Sequence, residues 1–346
     1  RALDAGTLDH EAVNLLTDWF IDCEKLVESM EKWHLLEFSE LEKMDETTLV
    51  WMKHSPNNPK THLRLCFSRL EAGKYLEERV YGYFKHIVMC GALLFTKKTE
   101  DYTKDQLRLD DDVLTKRYQG AFDYAHQARA VFATDSPDLS SMLSKAEYHA
   151  YLTDALADII EKTSLQTLVL FNSLEDIEAV YNGLSIRGLN KKREILAQGV
   201  NGTPEKLKKR FVLTSSKSIL LGAGSFWEGI DLPEEKLELL VITRLPFQSP
   251  DSLINKVRYR NVQAKGHNPF SAVSLPEAAL KFRQGFGRLI RTKDDHGILA
   301  VLDSRIVNKR YAHEFTDTLP KDLRIDRVEM KDIPEIIRDT EKDFGF

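Results

Sequence analysis

Gln284, Arg288 and Arg291 stand four and three positions apart in the stretch RQGFGRLIRTKDDHG, residues 283 to 297. On a helix, positions with that spacing share one face, while Phe282, Phe286, Leu289 and Ile290 fall elsewhere. A glutamine and two guanidiniums aligned beside Gly285 and Gly287 form a receptor for an anion. The plain alternative is the solvated side of an amphipathic helix, and spacing alone leaves both open.

Three further stretches carry groups of the same kind. In GAGSFWEGIDLP, residues 222–233, Gly222 and Gly224 let the backbone approach a partner closely, and Ser225 offers a hydroxyl and an N–H to phosphate. Glu228 and Asp231 are three apart and converge if the segment turns helically. The same glycines also suit an ordinary strand-to-helix turn, and Trp227 suits a core. In LVLFNSLEDIEAV, residues 168–180, Asn172 or Ser173 can cap the following helix. They can equally meet a backbone phosphate at its N-terminus; the two roles are compatible, and capping carries more weight. In LDSRI, Asp303 and Arg305 read as a local ion pair, and LPF at 245–247 with Pro250 reads as a rigid exit from a strand.

Regular elements must hold these groups in place. Buried strands are expected at 167–171, 218–224, 237–245 and 297–303, with a short one at 193–199. Helices are expected from 174 to about 185, over 203–211, 252–265 and 275–292. Strands alternating with helices imply a parallel sheet covered on both faces. Its ligands bind where loops leave the carboxyl ends of the strands, and FNSLED, GAGSFWEGIDLP and LDSRI all sit there.

The first third has another texture. Residues 8–33 have apolar positions at helical spacing (Val13, Leu16, Trp19, Phe20, Cys23, Leu26), and a second helix is expected near 37–44. TTLVWMKH and THLRLCFS alternate like half-buried strands around the turn SPNNPK. A helix is expected at 69–80, a fully buried strand at 86–95 (HIVMCGALLF), and an irregular charged stretch at 96–125.

The totals set bounds. A chain of 346 residues suggests two domains, and 42% hydrophobic with 30% charged residues describes an ordinary globular protein with a sizeable core. A net charge of −5 decides nothing about nucleic acid, because a local basic groove can sit on an acidic protein. Three scattered cysteines form no C-x-x-C pair, which fits a reducing cytosol and supplies no zinc or iron–sulfur ligand set. No apolar run reaches the roughly 18 residues of a membrane span, and no signal peptide is recognisable, so a cytoplasmic protein is expected. The chain opens on Arg1 without an initiator Met, which reads as a fragment.

GSFWEGIDLP, ITRLPFQSP, RQGFGRLIRTKDDHG and LDSRI, in that order and spacing, resemble the carboxy-terminal half of DinG-type DNA helicases, relatives of the XPD helicases of superfamily 2. The likeness looks closest to the Gram-positive branch and covers most of residues 47–320. GSFWEGID resembles motif V, QGFGRLIR motif VI and LVLFNS motif IV; FDYAHQARAVFATDSPDLS, residues 122–140, resembles the family's lead-in to the second motor domain. The resemblance implies a helical arch-like segment at 1–46, a strand-containing remnant of the first motor domain at 47–110, and a RecA-like second motor domain at 111–346.

It also implies a motor that hydrolyses ATP with Mg²⁺ while moving on single-stranded DNA. Arg291 matches the arginine finger, Arg288 a phosphate-contacting or helix-holding arginine, and Gln284 a residue that orients water or nucleotide. Glu228, Gly229 and Asp231, with Gly287, match positions at the nucleotide cleft; Asn172, Ser173, Gly222, Gly224 and Ser225 match the DNA side. Lys208, Lys209 and Arg210, and the run Lys256, Arg258, Arg260, are further candidates for DNA, the first set more simply a solvated helix face.

The sequence contains neither G-x-x-x-x-G-K-S/T nor D-E-x-H, so the chain alone is expected not to hydrolyse ATP. The phosphate loop and acidic box would come from the missing first motor domain, and no iron–sulfur cluster is expected in this portion. Where the family carries a T-S-A-T-like motif III, the strand at 86–95 reads Cys90, Gly91, Ala92, Leu93, Leu94. That departure leaves an alternative: a DNA-binding or regulatory helicase-like module of a 3′-5′ exonuclease, with weak or no unwinding. An unrelated dinucleotide enzyme would need G-x-G-x-x-G after the first strand of a βαβ unit, which GAGSFWEG does not match.

Overall fold

Alternation of apolar and polar residues builds the first described strands. The computed structural model describes residue 22 and residues 48–54, 63–91, 100–116, 118, 122–137, 144–213, 217–227 and 237–346. The chain forms two compact units, Arg1–Tyr75 and Leu76–Phe346. In the first, β1 (Thr48–His54) and β2 (Leu63–Arg69) pair antiparallel, with Trp51 opposite Cys66. The expected helices at 8–33 and 37–44 and the turn SPNNPK lie outside the described residues. After β2 comes α1 (Ala72–Arg79), somewhat shorter than the expected 69–80.

Two expectations fail in the stretch that follows. Residues 86–91 of HIVMCGALLF form neither strand nor helix and are exposed, Val88 at 89%; residues 92–95 lie outside the described residues. A strand needs a neighbour for its N–H and C=O groups, and no described strand pairs with 86–91. The charged stretch after it is not irregular throughout: it contains α2 (Glu100–Leu107). Glu100 and Asp101 occupy its first turn, where negative charge suits the helix dipole. Tyr102 docks it by donating its hydroxyl to Glu277 at 2.8 Å.

The remaining strands form one seven-stranded parallel sheet. They are β3 (Ala128–Ala133), β4 (Thr167–Phe171), β5 (Ile195–Ala197), β6 (Ile219–Ala223), β7 (Leu239–Ile242), β8 (Gly297–Val301) and β9 (Arg324–Val328), in the order β5-β6-β4-β7-β8-β3-β9. β4 to β8 are buried along their whole length, as continuous apolar runs require. β9 is an edge strand and carries Arg324, Asp326 and Arg327, charges that blunt edge pairing.

Helices cover both faces, as expected. They are α3 (Lys145–Lys162), α4 (Leu174–Ile186), α5 (Pro204–Leu213), α6 (Leu253–Ala264), α7 (Leu275–Phe286) and α8 (Ile333–Phe344). One core takes Leu152 and Leu156 of α3, Ile177 and Val180 of α4, and Ile333 and Ile337 of α8. The other takes Leu207 and Phe211 of α5 and Ala279 and Phe282 of α7. From β4 the chain advances through α4 to β5; from β7 it advances the opposite way, through α6 and α7, to β8. The adjacent strands β4 and β7 therefore flank the topological switch point, where sheets of this kind take ligands outside the strands' carboxyl ends.

Candidate functional site

Trp227 joins three of the four chemically loaded stretches, those at 168–180, 222–233 and 283–297. It directly follows the 3₁₀ turn Gly224–Phe226 at the end of β6 and is 1% exposed. Its indole Nε1–H donates to the carbonyl of Phe171, the last residue of β4, at 2.8 Å. Its own carbonyl accepts from Arg288 Nη2 at 2.9 Å. Gly285 of α7 lets that helix lie against the indole, where an added Cβ would meet Cζ3 at 3.4 Å. Phe171, before Asn172, and Arg288 are thus joined through one buried residue, the first to its side chain and the second to its main-chain carbonyl.

The arginines do not share a helix face. α7 ends at Phe286, with Gly287 as its cap donating to Arg283 O at 2.9 Å, not at 292 as the spacing suggested. Glycine is a weak helix former, and the chain then turns so that Leu289 and Ile290 drop into the core. Leu289 packs over Gly297, where any Cβ would strike it. Gln284 stays on α7, half-buried, while Arg288 is 8% exposed and Arg291 is half-buried beyond the helix. Arg283, on the last turn, donates to Thr318 O, and burial draws its pKa down from the usual guanidinium range.

Arg291 rides on a turn built by two residues. Asp295 Oδ2 accepts from the Arg291 and Thr292 N–H groups at 2.6 and 2.7 Å. Gln127, buried just before β3, donates its amide to the carbonyls of Thr292, Lys293 and Asp295 at 3.1, 3.0 and 2.9 Å. Its Oε1 accepts from Asp123 N–H at 2.8 Å. Motif spacing pointed to the arginines; neither Gln127 nor the structural role of Asp295 was marked, because their partners are main-chain carbonyls and N–H groups.

The strand tips at the switch point form a second cluster. Ser173 caps α4, its Oγ accepting from Asp176 N–H at 3.1 Å, the capping role its position predicts. Exposed Asn172 donates its amide to Leu245 O at 2.9 Å, and Leu245 N–H donates to Asp303 Oδ2 at 2.8 Å. Asp303 also holds Arg305, with Nε and Nη2 at 2.9 and 2.7 Å from its two oxygens: the local pair expected of LDSRI. Arg244, next to Leu245 in the chain and unmarked in the sequence, lies 5.6 Å over the ring of Tyr148. Burial raises the Tyr148 phenol well above its usual range, an effect that Arg244 opposes.

The glycines divide by role. Gly222 is buried, and a Cβ there would collide with the Phe226 ring, so packing accounts for it. Gly224 takes φ +56° in open space, and Ser225 beside it is exposed. Glu228, Gly229 and Asp231 lie outside the described residues. Of the basic runs, Arg258 is drawn into the Glu277–Tyr102 cluster, with Nη2 2.6 Å from Glu277, and Arg210 pairs with Glu194. Among the described residues no group of three or more His, Cys, Asp or Glu is placed to hold a metal, and no helix is long and apolar enough to cross a membrane.

Comparison with known proteins agrees with this geometry. Residues 156–322 match the family model of a helicase C-terminal domain. The chain is 32% identical over 278 residues to the 3′-5′ exonuclease DinG of Bacillus subtilis, covering 80% of this chain and 30% of that protein. It is 32% identical over 279 residues to the ATP-dependent DNA helicase DinG of Photobacterium profundum, covering 80% and 40%. The chain thus spans well under half the length of these curated relatives. Among solved structures, an XPD helicase superposes with a TM-score of 0.60 at 18% identity, covering 93% of this chain and 56% of the other. An apo XPD structure gives 0.56 at 18%, covering 93% and 63%. At that identity the likeness shows the fold, a RecA-like sheet flanked by helices.

Proposed function

We propose, from the superfamily-2 DinG/XPD-like helicase C-terminal domain that this chain carries, that it is the second motor half of an ATP-dependent DNA helicase, closest to the DinG type of Gram-positive bacteria. The observation that carries this is the Trp227 linkage, which ties the segments matching motifs IV, V and VI into one rigid unit. Arg291 is the arginine finger, stabilising charge on the transferring phosphoryl group, a role worth about 10³-fold or more in rate. Arg288, buried and bound to the Trp227 carbonyl, is a positioning residue. Gln284 orients water or nucleotide, and Gly287 with the motif residues Glu228, Gly229 and Asp231 serves nucleotide binding. Asn172, Ser173, Gly224 and Ser225 line the single-stranded DNA, whereas Gly222 supports them through packing.

The nucleotide's phosphate loop and its Mg²⁺-binding carboxylates belong to a first motor domain outside these residues, because the sequence has no such motifs. Phosphate release would be measured with this chain alone and with a protein joining it to that domain. The chain alone is inert; in the joined protein, Arg291→Ala abolishes hydrolysis and leaves ATP binding intact. DNA-stimulated turnover by the isolated chain, or normal turnover in the variant, would overturn the assignment.

A second reading is a DNA-binding or regulatory module of a 3′-5′ exonuclease, the activity named for the Bacillus subtilis relative. It is favoured by Cys90 and Gly91, which stand exposed where motif III hydroxyls were sought. An unwinding assay on the joined protein separates the two: strand separation coupled to hydrolysis supports the helicase, hydrolysis without it the module.

A further inference from the structure

We propose that Arg244, with the first turn of α4, seats one phosphodiester group of single-stranded DNA, deepening the DNA-track assignment above and resting on it. Arg244 emerges just beyond β7, and Thr243 N–H donates to Leu170 O at 3.1 Å, which sets Arg244 level with Asn172 and Ser173. It therefore stands at the switch point itself, beside the N-terminus of a 13-residue helix whose dipole favours an anion.

Its side chain is fixed but uncommitted. The guanidinium lies over Tyr148, which is 4% exposed and so a rigid base, and it is only half-buried itself. A guanidinium over a ring spends its face on the π-system and keeps its edge donors for an acceptor. Arg244 has no hydrogen-bond acceptor or carboxylate among the described residues. The nearby carboxylates are engaged elsewhere: Asp303 by Arg305 and Leu245 N–H, Asp176 by His149 Nε2 at 2.7 Å, and Glu175 by Lys145. The Tyr148 hydroxyl is buried without a partner, so the residue is held here for its ring rather than for a hydrogen bond.

One cation beside one helix end suits a singly charged diester. A nucleoside triphosphate calls for a loop of converging N–H groups.

The test is fluorescence anisotropy of a labelled oligothymidylate against the 346-residue chain over a salt series, with Arg244→Gln, Arg244→Lys and, at the far end of α3, Lys162→Gln. Arg244→Gln weakens binding about tenfold at low salt and lowers the salt slope by about 0.7, the value for one lost single-strand phosphate. Arg244→Lys keeps the slope, and Lys162→Gln matches the parent. Should the glutamine variant melt early, Arg244→Met, which keeps the stem over Tyr148, gives the same result. An unchanged slope and affinity in a folded Arg244→Gln overturns the assignment of Arg244 alone. So does a loss confined to ATP binding, which would place the phosphate on a nucleotide. No salt-sensitive binding by the parent chain overturns the DNA track and Arg244 together.

Discussion

Arg288 Nη2 donates to the main-chain carbonyl of Trp227 at 2.9 Å, from a side chain that is 8% exposed. Charge-assisted hydrogen bonds in such surroundings contribute about 1.5–3 kcal/mol. Arg288→Met is expected to lower the urea-unfolding free energy of the chain by about that amount, whereas Arg291→Ala costs less than about 1 kcal/mol. Equal losses in the two variants would show that Arg291, like Arg288, serves mainly to hold the fold.

Gln127 satisfies three carbonyls of the turn that carries Arg291. Gln127→Leu removes the donor of these part-buried bonds, at about 0.5–1.5 kcal/mol. In the protein joined to a phosphate-loop domain, the same substitution lowers the rate of phosphate release without weakening ATP binding. A variant that melts earlier yet turns over at the parental rate would separate the turn from the chemistry.

The two glycines at the end of β6 are expected to respond differently to alanine. At Gly222 the new methyl meets the Phe226 ring, and overpacking of this kind costs about 1–3 kcal/mol. At Gly224 the methyl meets open space but a φ of +56°, which costs about 1 kcal/mol. Chemical denaturation ranks them; weakened DNA binding with little loss of stability is expected only at position 224.

Three phenols, Tyr148 buried and Tyr102 and Tyr151 partly so, predict an alkaline limit. Tyr102, Tyr148 and Tyr151 all have pKa values raised by burial, Tyr102 further by Glu277. The unfolded chain ionises these groups near pH 10 while the folded chain keeps them protonated. Their stabilising contribution is complete below about pH 10 and declines above it, by about 1.4 kcal/mol per pH unit for each tyrosine. Phenolate absorbance and unfolding free energy followed from pH 8 to 11 check this. Tyr148→Phe, which also removes a buried hydroxyl without a partner, should flatten the slope and leave neutral-pH stability equal or higher.

Strands β4 to β8 were legible because each is a short continuous apolar run buried on both faces. The same signal misled at 86–91, since apolar composition does not supply a pairing partner. β9, RIDRV, escaped notice for the opposite reason: an edge strand keeps its charges. In the site, residue types marked the arginines, but the end of α7 depended on Leu289 and Ile290 seeking the core beyond Gly287. Arg244 went unmarked because its neighbours come from elsewhere in the chain, Tyr148 by the packing of α3 and Asn172 by the pairing of β4 with β7, which local sequence does not encode.

Because α7 stops short of both arginines, the two guanidiniums have separate suspensions. Arg288 hangs from the indole-bearing segment and is anchored to the interior; Arg291 is carried by a loop stapled to the root of β3. A change in the interior at the indole therefore reaches Arg288 first, whereas a change at the start of β3 reaches Arg291 first.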